Sequence, residues 1–80
     1  MNLRLEKRQI DYYDKITDKL VGEIEIIDFQ IEIIKKRFSI PKDDPYVYNP
    51  YQITITNVDL FPYVIFDFNL HDYFLACYSR

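Results

Sequence analysis

Fourteen aromatic side chains in eighty residues, eight tyrosines and six phenylalanines, limit what this chain can become more than any other feature. A chain this short lies near the lower size limit for a core that holds itself together without staples. Each aromatic ring takes roughly 150–250 Å² out of water, so the rings supply the apolar area that length does not. Disordered chains are poor in aromatic and β-branched residues; this one is rich in both and is expected to fold as a single domain over residues 1–80. Covalent staples are not on offer. Cys77 is the only cysteine and His71 the only histidine, which leaves neither an internal disulfide nor a cysteine–histidine zinc site. No metal and no cofactor are expected.

A lone thiol fits a reducing compartment. The first eight residues, Met1 to Arg8, hold no apolar stretch of signal-peptide length. The longest uninterrupted apolar run, Tyr73 to Tyr78, falls far short of the roughly 20 residues that cross a membrane. The expectation is a cytoplasmic chain with no membrane partner.

Charge is distributed unevenly. Residues 1–37 carry eight acids and eight bases, whereas residues 38–79 carry five acids (Asp43, Asp44, Asp59, Asp67 and Asp72) against Lys42 alone. Six of the eight tyrosines also lie in that second stretch: Tyr46, Tyr48, Tyr51, Tyr63, Tyr73 and Tyr78. Such a surface repels a phosphate backbone and attracts a basic protein. Direct nucleic-acid binding is therefore not expected. The one basic cluster, Lys35-Lys36-Arg37, reads as a helix end that complements the helix dipole, and base-stacking platforms interleave their aromatics with bases rather than acids.

Periodicity predicts an α+β domain with a largely antiparallel sheet. Leu3 to Asp14 reads as a long strand whose apolar positions change phase, with a bulge or bend near Lys7 to Gln9. A polar turn over 14–19 leads to a second strand over 20–26, with Leu20, Ile24 and Ile26 on one face, completing an N-terminal hairpin. Gly22 inside that strand relieves crowding. A helix is predicted over Asp28–Phe38: Asp28 as N-cap, Ile27, Ile31, Ile34 and Phe38 at helical spacing, and Ser39-Ile40-Pro41 as the stop. The segment 41–52, with Pro41, Pro45 and Pro50, reads as an ordered loop. Thr56-Asn57-Val58-Asp59 resembles a capping box opening a short helix that Pro62 ends. Val64–Phe68 and Tyr73–Tyr78, joined by Asn69 to Asp72, read as a C-terminal hairpin.

Catalytic equipment is thin. Asp43-Asp44 are adjacent carboxylates, but loop neighbours diverge and stay solvated. His71 beside Asp72 lacks an evident nucleophile, and Asp67 and Asp72 are explained by turn chemistry. Cys77 lies in an apolar strand, where a thiol is inert. A single glycine excludes a glycine-rich phosphate loop. What remains is Asp43-Asp44-Pro45-Tyr46-Val47-Tyr48-Asn49-Pro50-Tyr51. Tyrosine brings contact area and a hydroxyl to an interface at low entropic cost, proline fixes the backbone, and the acids steer. The bland reading folds Tyr46, Tyr48 and Tyr51 inward to complete a small core.

The order of segments resembles one bacterial family. Tyr13-Asp14-Lys15-x-Thr17-x-x-Leu20-Val21-Gly22-Glu23-Ile24, a helix ending at Phe38, Ile40-Pro41-x-Asp43-Asp44-Pro45, Tyr51-x-Ile53-Thr54, Phe66-Asp67-Phe68 and Asp72-Tyr73-Phe74-Leu75 carry the resemblance. It is to the small immunity proteins encoded beside polymorphic toxins, including those of contact-dependent growth inhibition. The resemblance implies a monomeric, non-catalytic inhibitor that binds the C-terminal domain of a cognate toxin, often a basic nuclease, in a tight one-to-one complex. On this reading the partner-binding residues are Asp43, Asp44, Tyr46, Tyr48, Tyr51, Asp67, His71 and Asp72. Two rivals stand beside it: a non-catalytic adaptor or small subunit, such as a homodimer pairing through a strand edge, and a small hydrolase using Asp67, His71 and Asp72.

Overall fold

The computed structural model describes residues 6–79. Four strands, β1 (Glu6–Asp14), β2 (Leu20–Glu25), β3 (Tyr51–Ile53) and β4 (His71–Ser79), form one sheet in the order β2-β1-β4-β3. Every neighbouring pair is antiparallel. A helix, α1 (Ile31–Arg37), and a 3-10 helix (Ile55–Leu60) complete an α+β domain.

Side chains of successive strand residues point to opposite faces, and the register sorts this sheet into two unlike surfaces. On one face Ile10 stands opposite Ile24 and Leu75, Tyr12 opposite Gly22 and Tyr73, and Ile53 opposite Tyr73. Ile34 of α1, Val47, and Phe61 after the 3-10 helix pack onto this face and are buried with Ile10, Ile53 and Leu75. On the other face lie Gln9, Asp11 and Tyr13 of β1, Asp72, Phe74, Ala76 and Tyr78 of β4, and Glu23 and Glu25 of β2. No helix covers it.

The N-terminal hairpin forms as expected, but its irregularity lies elsewhere. Residues 1–5, including Leu3 and Leu5, are outside the described residues, and β1 pairs with β4 without interruption from Glu6 to Asp14. The register shift falls between Tyr12 and Tyr13, against β2. Tyr12 is the cause. Its ring stacks on Tyr73 at 5.3 Å and lies across Gly22, where a Cβ would come within 2.7 Å of the Tyr12 hydroxyl. Gly22 thus relieves a crowded crossing, as its position in the strand predicts. Past the shift, Leu20 is half exposed rather than aligned with Ile24 and Ile26.

Helix α1 starts three residues later than Asp28. Asp28 has φ 60° and belongs to the turn that leaves β2, Gln30 occupies the N-cap without a side-chain cap, and Ile27 is exposed. The other end matches: Lys35, Lys36 and Arg37 form the last turn, and Ser39 at φ 52° ends the helix before Pro41. The segment after it is an ordered loop whose last two residues, Tyr51 and Gln52, already belong to β3. The capping box lies two residues earlier than expected, with Thr54 at the N-cap and Asn57 answering it. The helix that follows is 3-10, and it stops at Phe61, before Pro62.

Residues 64–68 are not a strand. Val64, Phe66 and Phe68 do alternate inward, and Phe66 and Phe68 close on Tyr73 at 4.8 and 5.4 Å. Yet at Tyr73–Leu75 both edges of β4 are already taken, one by β1 and the other by β3. The segment therefore buries its rings without forming the expected hairpin with β4. The C-terminal antiparallel pair is β3 with β4.

Candidate functional site

The loop expected to meet a partner is organised by one of its own acids. Asp44 is 5% exposed. Its carboxylate accepts the Tyr48 amide at 2.8 Å, the Asn49 amide at 3.1 Å and the Tyr51 hydroxyl at 2.6 Å. Burial raises the Asp44 pKa, but these donors outweigh it and hold the carboxyl below its ordinary range. Burial and the same carboxylate push the Tyr51 phenol up to about 12. Asp44 and Tyr51 are therefore internal anchors. Arg8 ties the loop down from outside: its guanidinium donates to the carbonyls of Val47 at 2.6 Å and Tyr46 at 2.9 Å, and lies over the rings of Phe29 and Tyr48. Asp43 and Tyr46 remain exposed, and Tyr48 lies beside Tyr46 at 5.7 Å.

The expected residues of the second turn separate. Asp67 accepts from the amides of Asn69, Leu70 and His71 and so builds the turn. His71 lies on the core side, edge-on to Tyr12 at 5.1 Å. Asp72 is on the open face, paired with the Lys15 ammonium at 2.6 Å. Adjacent strand residues point to opposite faces, so His71 and Asp72 do not form the dyad that a hydrolase reading needs. Among the described residues no cluster of His, Cys, Asp and Glu could hold a metal ion.

Of the expected contacts, Tyr48 and Asp72 do come together, on a surface that neither motif announces. They border a groove of about 510 Å³ on the open face of the sheet, together with Asp11, Tyr13, Asp18, Pro50, Phe74, Ala76, Cys77 and Tyr78. Tyr78 stands opposite Lys7, yet its hydroxyl reaches Asp11 at 2.5 Å, so its ring lies obliquely over Gln9 and Ala76. That crossing explains why Gln9, Asp11 and Ala76 are 3%, 4% and 8% exposed on a face without a helix. Gln9 donates to the other Asp11 oxygen at 2.6 Å. The Asp11 hydrogen bond, then burial, pushes the Tyr78 phenol up to about 12.

Acids dominate this face. Asp11, Asp18, Glu23, Glu25 and Asp72 are set against Lys7 and Lys15. Counting charge along the chain misses this, because residues 1–37 balance overall while β1 and β2 turn acids to one side. The signal lay in alternation: Gln9, Asp11, Tyr13 and Asp72, Phe74, Ala76, Tyr78 each repeat with period two. Away from the groove lining, Arg37 grips Asp59 at 2.6 and 3.0 Å and the Thr56 carbonyl at 2.7 Å. The basic helix end is thus partly spent inside the fold. No helix among the described residues is long and apolar enough to cross a membrane.

No curated protein matches this chain, and no solved structure does. A family profile does match, over residues 7–76, which takes in β2, β3, both helices, most of β1 and β4, and every groove residue except Cys77 and Tyr78. The chain belongs to that family, a domain of unknown function, DUF7683.

Proposed function

We propose that this domain works without catalysis, by binding a basic protein on the open face of its sheet. One observation carries the reading: an uncovered sheet face whose groove combines Asp11, Asp18 and Asp72 with Tyr13, Tyr48, Phe74 and Tyr78. Aromatic rings supply contact area at interface centres, and carboxylates of one sign steer an oppositely charged partner. The sequence resemblance supplies the class of partner, the C-terminal domain of a bacterial toxin, a nuclease by preference. The domain is then an immunity protein that neutralises it one-to-one in the cytoplasm, where a lone cysteine fits.

This reading redistributes the expected contacts. Asp72 and Tyr48 stay, Asp43 and Tyr46 are exposed on the 41–52 loop outside the groove lining, and Asp44, Tyr51, Asp67 and His71 support the fold. The test is co-expression with the toxic domain encoded beside this reading frame. Restored growth, lost in Asp18→Lys/Asp72→Lys, supports the reading; undiminished protection by that variant refutes it. A second reading, a subunit that pairs through the outer edge of β2, draws on Leu20 and Val21, each 50% exposed. A stable oligomer of the isolated chain in a size measurement would favour it.

A further inference from the structure

We propose that the open-face groove takes an arginine side chain of the partner, seated over Asp11, Tyr13, Asp72 and Phe74; this rests on the basic-partner reading above and specifies its anchor. The register makes the seat. Asp11 faces Phe74 and Tyr13 faces Asp72 across β1 and β4, so the four form a square with carboxylates on one diagonal and rings on the other. Tyr13 and Phe74 meet edge to face, 5.8 Å apart at 80°, forming a corner rather than a flat wall. Diagonal neighbours on facing strands stand about 7–8 Å apart, a span one planar cation bridges while lying on a ring.

Asp11 supplies the independent observation. It is 4% exposed and lines the groove, and among the described residues the donors that hold it are the neutral Gln9 and Tyr78. Among the described residues no cation lies within ion-pair distance of it. Buried carboxylates are ordinarily matched by a counter-charge, and here the matching cation comes from outside. Guanidinium suits the seat better than ammonium: it is flat, stacks on rings, is weakly hydrated, and forks to two acceptors. Lys15 holds the place meanwhile. Its ammonium sits on Asp72 at 2.6 Å, both side chains a third or so exposed, and such an exposed pair yields readily to a better-fitting cation.

The test titrates the intact domain with the peptide Ac-Ala-Arg-Ala-Arg-Ala-NH2 and its lysine and citrulline counterparts, followed by amide chemical shifts. The arginine peptide is expected to saturate shifts at Asp11, Tyr13, Asp72 and Phe74, about fivefold or more tighter than the lysine peptide, with citrulline silent. Asp72→Asn should weaken binding about fivefold, and Lys15→Gln, which frees Asp72 without touching the sheet, should tighten it about twofold. Equal binding of arginine and lysine peptides at these amides, or no gain in Lys15→Gln, overturns the arginine seat while leaving a basic partner standing. Shifts scattered over Asp28, Asp43 and Asp59, or no saturation with either peptide, overturn both.

Discussion

The Tyr78 hydroxyl donates to the Asp11 carboxylate at 2.5 Å, joining residues 67 positions apart in sequence across the one sheet face that no helix covers. The bond gives that face its shape. Tyr78 roofs Gln9 and Ala76 and leaves Asp11 as the groove's buried acid. Tyr78→Phe keeps the ring and removes the donor, so Asp11 retains Gln9 alone among these two partners. The expected loss is about 1–2 kcal/mol of stability in urea unfolding, while Tyr46→Phe on the exposed loop should stay within about 0.5 kcal/mol.

Alkaline titration tests the same contact without mutation. The Tyr51 and Tyr78 phenols are pushed up to about 12, above the roughly 10 of an unfolded tyrosine. A group whose folded pKa is raised stabilises fully below its unfolded pKa and loses that contribution as pH climbs through the folded value. Stability should therefore fall between pH 10 and about 12. Phenolate absorbance should lose one late-ionising group in Tyr51→Phe and another in Tyr78→Phe.

Asp44 is predicted to be structural and Asp43 not. Asp44→Ala strands two amides and a phenol around a buried site, costing about 2–4 kcal/mol. Asp43→Asn should change stability by less than about 0.5 kcal/mol. Acid should reproduce part of the first effect. The Asp44 pKa is depressed in the fold, so its contribution is present above the ordinary carboxylate range and lost as pH falls through the folded value. Urea unfolding of both variants across pH checks the sign.

Gly22→Ala would place a methyl 2.7–2.9 Å from the Tyr12 phenol. Tyr12 cannot swing clear, because Tyr73 and His71 hold its ring. The expected cost is about 1–3 kcal/mol, and Tyr12→Leu in the same background should recover part of it. Thermal or urea unfolding of the two variants decides the point.

How much of this was legible in the sequence follows from what each residue pattern encodes. The N-terminal hairpin, the basic helix end and the stop before Pro41 are local signals, and they hold. Val64, Phe66 and Phe68 alternate as a strand would, but alternation reports which side chains turn inward, not whether a neighbouring edge is free. Asp28 looked like a cap because a capping side chain and a turn residue are the same chemistry; only the positive φ after β2 tells them apart. The open face was the least legible part. Asp11 and Asp18 lie near one end of the sequence and Phe74 near the other, and charge summed along the chain conceals a sorting that occurs across the sheet.

The central claim is that a basic partner docks on this face and not on the 41–52 loop alone. The direct measurement is the affinity of the purified domain for the toxic domain proposed as its partner, comparing Asp18→Lys/Asp72→Lys with Asp43→Lys. The open-face pair is expected to weaken binding at least about tenfold and flatten its salt dependence, while Asp43→Lys changes it less than about threefold. Full affinity in the open-face variant, with the loss confined to Asp43→Lys, would contradict it.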